Sequence, residues 1–150
     1  MDATDLIRPV NLFEQDFSRA TEAEREQVVA LLRVFMARLR IILRGCEPMV
    51  RKVTPQNEER CATCAFNPVT DSLPGFALTA YGVLQCIYND QKAFLCHGEN
   101  PDWEDQHLID PANPILCNGF LAVRLYAGIS AALLAIRTMK AIRKVVPKSP

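Results

Sequence analysis

Apolar residues recur every three or four positions between Val28 and Leu43: Val28, Leu31, Leu32, Phe35, Leu39, Ile42 and Leu43. That spacing puts them on one face of an α-helix. Just upstream, Thr21-Glu22-Ala23-Glu24 has the form of a capping box, in which the Thr21 hydroxyl accepts an orphan N–H and Glu24 reaches back. The pattern predicts a long helix over 21–44 that Gly45 ends. At about 1.5 Å per residue it would span roughly 36 Å. Its polar side turns basic with Arg33, Arg38, Arg40 and Arg44. Cations there either complement the C-terminal end of the helix dipole or bind an anion.

Upstream, residues 1–20 mix Pro9 with scattered apolar positions and read as a docked arm with one helical turn near Phe13 to Phe17. After the long helix, residues 45–60 form a connector containing Pro48 and Pro55. Pro68, Ser72, Pro74 and Gly75 mark a loop. Phe76 to Tyr88 reads as a second, shorter helix with Phe76, Ala80, Val83, Leu84 and Ile87 on one face, and Asn89-Asp90 as its exit turn. Ala93-Phe94-Leu95 is a short extended run, and 98–114 is a polar loop with Pro101, Pro111 and Pro114. Asn113 followed by Pro114 is a helix start, a capping side chain and then proline at the first helical position. One last helix is expected from Ile115 to about Val145, with a basic end. Between Gly119 and Ile136 its one charge is Arg124. A run of that length raises a transmembrane span, but a central arginine is costly in lipid. The helix is read as a core or subunit-interface helix, with membrane contact or a partner-facing helix as alternatives. The resulting class is mainly α: one domain over 1–150, two long helices around a loop-rich centre with a shorter helix.

Length fits this picture, since 150 residues suit a single core and 49% are hydrophobic. Net charge is zero, yet all 17 acidic residues lie at or before Asp110. Beyond it stand only Arg124, Arg137, Lys140, Arg143, Lys144 and Lys148. Such asymmetry marks either two oppositely charged faces of one domain or a partner surface. The start of the chain lacks the basic and apolar regions of a secretory signal. The expectation is therefore a cytoplasmic protein with thiols free or metal-bound, a virion protein being the exception.

The chemistry lies in the cysteines. Cys61-Ala62-Thr63-Cys64 is followed by Cys96-His97 and then by Cys117, which falls in the first turn of the expected last helix. Four thiolates suit a tetrahedral zinc or an iron–sulfur cluster. A zinc knuckle usually places glycine after the second cysteine, where φ is positive; here Ala65 and Phe66 follow. There is no second close pair, and a thiolate at a helix N-terminus is stabilised by the dipole. Phe66, Phe94 and Phe120 each lie near a ligand and can exclude water. These points favour a 4Fe–4S iron–sulfur cluster on Cys61, Cys64, Cys96 and Cys117, with zinc as the alternative and disulfides or no cofactor as the remainder. His97 is an alternative zinc ligand, a hydrogen-bond partner of a sulfur, or a surface histidine. Cys86 reads as a buried small hydrophobe. Cys46, beyond the expected helix stop, reads as more exposed, either a free thiol or a residue for an intermolecular bridge.

The pattern Cys-x-x-Cys-x-Phe, Phe-x-Cys-His, Cys-x-Gly-Phe, carried by Cys61, Cys64, Cys96, His97, Cys117, Gly119 and Phe120, resembles a group of small, mostly uncharacterised phage and prophage proteins. It covers 61 to about 124. The resemblance implies a metal- or cluster-bearing small domain in a viral setting, with no established reaction. Members often carry a basic residue after the first aromatic, where this chain has Asn67 and Pro68.

Three roles follow as expectations. The first is a non-enzymatic structural or interaction protein, such as a virion tail, baseplate or neck component in an oligomeric assembly. The second is a nucleic-acid-associated regulator using Arg137, Lys140, Arg143 and Lys144 on phosphates, though no recognition motif accompanies them. The third is a redox protein, ranked last because no nucleotide loop or catalytic set is present. Asp102, Glu104, Asp105 and His107 suit a hard cation or, more simply, a solvated loop.

Overall fold

The computed structural model describes residues 17–53, 65–89, 94 and 118–146, with side chains of the first segment described to Cys46 and of the last from Gly119. The described residues are helical, with no strand among them. After a short helical piece at 17–19 come α1 (Glu22–Val53), a 3-10 turn (Pro68–Ser72), α2 (Phe76–Tyr88), α3 (Asn118–Tyr126) and α4 (Gly128–Val145). The expected mainly-α class is the one observed.

The capping box forms as read. The Thr21 N–H donates to Glu24 Oε2 at 2.7 Å, and the Glu24 N–H donates to Thr21 Oγ1 at 3.3 Å. From there α1 buries Val28, Leu32, Phe35, Met36, Leu39 and Leu43 completely. Each such side chain contributes roughly 1.5–3 kcal/mol of transfer free energy. The other three helices pack against this stripe, so α1 is the element around which the described core is built.

Gly45 does not end the helix. The backbone stays helical to Val53, and Gly75 is the one described glycine with positive φ, at 82°. The reason lies in the stripe: the steps of four and three through Leu39 and Leu43 continue to Cys46, which is buried at 5% exposure. A helical glycine costs only about 1 kcal/mol relative to alanine, so it does not by itself end a helix. The expectation of an exposed Cys46 is therefore corrected. It sits inside the core, out of reach of a second chain. Cys86 is buried too, as expected. A bulky maleimide is expected to leave both thiols unlabelled in the folded chain and to modify them in urea. Rapid labelling of Cys46 under native conditions, with the peptide identified by mass spectrometry, would contradict its placement.

The last helix is also not continuous. It breaks at Ala127 into α3 and α4, which meet at 107°. Ala127 belongs to both hydrogen-bond ladders: its N–H donates to the Val123 carbonyl at 3.0 Å, and its carbonyl accepts from the Ala131 N–H at 2.8 Å. A straight helix over 115–145 would be roughly 46 Å long, about three times the radius of gyration of a domain this size. Breaking it lets Phe120, Ala122 and Val123 of α3 reach the core from one direction. Ala131, Ala135, Thr138, Met139 and Ile142 of α4 reach it from another. Gly128, a poor helix former at the corner, eases the break. Among the described residues no single helix is long and apolar enough to cross a membrane, and the bent α3–α4 pair passes by length and composition only.

Candidate functional site

Arg40 is the buried cation of the described structure. It lies on α1 at 5% exposure, one turn after Met36 and one before Leu43, on the apolar side of the helix. Its guanidinium forms a fork on Asp71: one terminal nitrogen (Nη1) donates to Oδ2 at 2.9 Å, the other (Nη2) to Oδ1 at 2.7 Å. Nη2 also donates to the backbone carbonyls of Ala65 at 3.1 Å and Asn67 at 3.4 Å. Arginine suits this task because its planar fork satisfies a carboxylate bidentately and still has protons to give.

All four bonds go to one segment, residues 65–71, which begins immediately after Cys64. That segment is tied to itself as well. The Asn67 side chain accepts from the Val69 N–H at 3.2 Å, and Thr70 Oγ1 donates to the Asn67 carbonyl at 2.6 Å. Pro68 at the start of the 3-10 turn fits the missing N–H there. Asn67 and Pro68 are thus structural parts of this turn.

Phe66, the second residue of the segment, is fully buried and its ring packs against Gly119 of α3. A Cβ built on Gly119 would stand 2.7 Å from Phe66 Cδ2 and 2.8 Å from Cγ, too close for any other residue without rearrangement. This explains the glycine in the Cys-x-Gly-Phe motif: the ring needs the bare backbone. The next residue, Phe120, is buried at 1%, with the Arg124 guanidinium 5.5 Å from its ring centroid. Phe94, the third aromatic, packs on Gly82 of α2, 3.4 Å from where a Cβ would be.

The proposed ligands Cys61, Cys64, Cys96 and Cys117, together with His97, lie outside the described residues. So do Asp102, Glu104, Asp105 and His107. Among the described residues no cluster of three or more histidines, cysteines or acids is placed to hold a metal. The aromatics that flank the ligand positions are described, and all three pack into or against the core.

The Arg40–Asp71 pair escaped the reading of the sequence, which put Arg40 with Arg33, Arg38 and Arg44 on a solvated basic side. Those three are exposed, and Arg33 lies 6.0 Å from the Phe76 ring centroid. Two signals pointed to the pair. Met36, Arg40 and Leu43 share the spacing of the apolar stripe, and Asp71 is the sole acid between Glu59 and Asp90.

A second feature is on the outside. The face of α4 opposite its buried one carries Ile129, Leu133 and Ile136 in successive turns, Ile129 at 82% exposure, with Leu125 and Tyr126 beside them at the corner. Further along the exposed residues are Arg137, Lys140, Arg143 and Lys144. Arg143, though exposed, lies 5.6 Å from the ring centroid of Tyr88 on α2, a cation–π contact within the chain.

No protein-family model, curated protein or solved structure matches this chain.

Proposed function

We propose that this chain is a non-enzymatic interaction protein whose middle is held by a centre on Cys61, Cys64, Cys96 and Cys117, a 4Fe–4S cluster or, alternatively, zinc. The observation that carries the reading is the seating of the Phe66 ring on Gly119. Phe66 is two residues from Cys64, and Gly119 is two residues from Cys117. Two residues of extended chain reach at most about 7 Å, so this one contact ties together the neighbourhoods of two ligand positions far apart in sequence. Buried rings beside the ligands fit the donor set, because thiolate centres are protected when water is kept away.

The interaction half rests on the outer face of α4. Three successive turns of exposed branched apolar residues on a helix whose opposite face is already in the core leave a strip that association would cover. The occupant proposed is a second copy of this chain. The C-terminal 40 residues carry no acid and the preceding part carries every acid, so the contact that brings unlike charges together sets α4 of one copy against the acid-bearing part of the other. The phage-like cysteine pattern adds a virion component as the setting.

Two measurements test this. Freshly purified protein should be brown with absorbance near ~400 nm for an iron–sulfur centre, or colourless and zinc-releasing on thiol modification. Replacing all four cysteines by serine should abolish both signals, and retention of the bound metal in that variant would remove the centre from the account. In light scattering, the wild type should exceed its monomer mass, and Ile129→Glu with Leu133→Glu should return it to monomer. A wild-type chain that is already a monomer at high concentration argues against self-association.

A further inference from the structure

We propose that α4 of one copy docks antiparallel along the outer face of α1 of a second copy, its apolar turns on Val34 and Ile41 and its lysines beside Glu22 and Glu26. The inference rests on the self-association reading above. It adds the surface that receives α4 and the direction in which the two helices meet.

Like α4, α1 turns branched apolar side chains outward: Val34 stands at 52% exposure and Ile41 at 66%. With the exposed Ala30 and Ala37 they recur at steps of four, three and four, a single line along a helix. That line lies opposite the stripe of Val28, Leu32, Leu39 and Leu43 that fills the core. Glu22 and Glu26 flank its N-terminal end. They are the exposed acids among the described side chains, since Glu24 is half-buried in the capping box and Asp71 is held by Arg40. Arg38 and Arg44 flank the C-terminal end, and Arg33 lies 6.0 Å from the Phe76 ring centroid.

The outer face of α4 is divided in a matching way. Ile129, Leu133 and Ile136 occupy its first half, and Lys140 and Lys144 continue the same line at further steps of four. When Leu133 is set beside Val34 in the antiparallel sense, Lys140 and Lys144 lie about 10 and 16 Å along the axis. The facing helix has Glu26 and Glu22 about 12 and 18 Å along in that direction. Ile129, about 6 Å the other way, approaches Ile41 at about 10 Å. The parallel sense instead carries the lysines to Arg38 and Arg44, a costly meeting of like charges. Charge therefore selects one direction, while apolar burial drives the association. Because the inserted and receiving faces differ, every copy carries one of each.

Light scattering on the full chain tests the docking, with circular dichroism to confirm folding; every substituted residue is exposed. Val34→Glu with Ile41→Glu should yield a monomer, as should Ile129→Glu with Leu133→Glu. An equimolar mixture of these two variants should form a two-chain complex, because one supplies an intact α1 face and the other an intact α4 face. Glu22→Lys with Glu26→Lys should weaken association by about tenfold. Lys140→Glu with Lys144→Glu should do the same, and all four substitutions in one chain should recover most of the loss. If the α1 apolar variant does not fold, these charge reversals decide alone. If it associates like the wild type while the α4 variant is monomeric, the docking on α1 is overturned and self-association through α4 stands. A mixture that stays monomeric, or charge reversals whose losses add instead of compensating, overturns it as well. A wild-type chain that is a monomer at high concentration overturns self-association and this docking together.

Discussion

Arg40→Ala is expected to destabilise the folded chain by about 3–5 kcal/mol, the usual cost of removing one partner from a buried ion pair. Two effects add up. The Asp71 carboxylate loses its fork, and the carbonyls of Ala65 and Asn67 lose a donor. Asp71 retains 29% side-chain exposure, so water can take over part of its solvation. The Ala65 carbonyl bond is buried and has no such relief. Asp71→Asn should accordingly cost less, about 1–2 kcal/mol. Replacing the pair together, Arg40→Met with Asp71→Leu, removes both charges but still leaves the buried Ala65 carbonyl without its Arg40 donor, while the Asn67 carbonyl keeps its bonds from Thr70. It should recover only part of the loss, a deficit of about 1–3 kcal/mol remaining. Urea titrations followed by circular dichroism give these differences directly. An Arg40→Ala chain within about 1 kcal/mol of wild type would mean that the clamp holds nothing.

Phe66→Ala should cost a similar amount, about 3–5 kcal/mol, because a fully buried ring is lost and its place cannot be filled from the glycine it rests on. Its partner makes the interpretation sharper. Gly119→Ala would gain about 1 kcal/mol from helix propensity, yet the added carbon meets the inner atoms of a buried ring. Overpacking of this kind costs about 1–3 kcal/mol, so Gly119→Ala should destabilise on balance. In the Phe66→Ala background the clash is gone and the same substitution should be neutral or stabilising. A double-mutant cycle should therefore return a coupling of about 1 kcal/mol or more. Additive effects would show that the ring and the glycine do not meet.

The parts of the fold legible in the sequence are those set by local pattern. Thr21 and Glu24 announced the start of α1, and Phe76 to Tyr88 is the predicted shorter helix, which buries Phe76, Ala80, Val83 and Leu84 of its predicted face and leaves Ile87 half-buried. What escaped was decided by packing. Gly45 has the residue type of a helix stop, but the stripe running on to Cys46 overrules it. The apolar run from Gly119 to Ile136 reads as one helix, because nothing local says that burying it from two directions is better than from one. Arg40 was placed with its charged neighbours when its register belonged to Leu39 and Leu43. Of the candidate centre, the flanking Phe66, Gly119, Phe120 and Phe94 are packed into or against the core, whereas the candidate ligands lie outside the described residues.

The corner at Ala127 sets a rule about chain length. Because one residue closes the ladder of α3 and opens that of α4, no slack separates the two helices. A single residue inserted in the first turn of α4 would advance every later position by about 100°. Leu134 and Arg137 would then stand where Ala135 and Thr138 now fill the interior, so a larger side chain and a cation would be driven inward. Substitutions at this bend should be absorbed, whereas additions and deletions there should not.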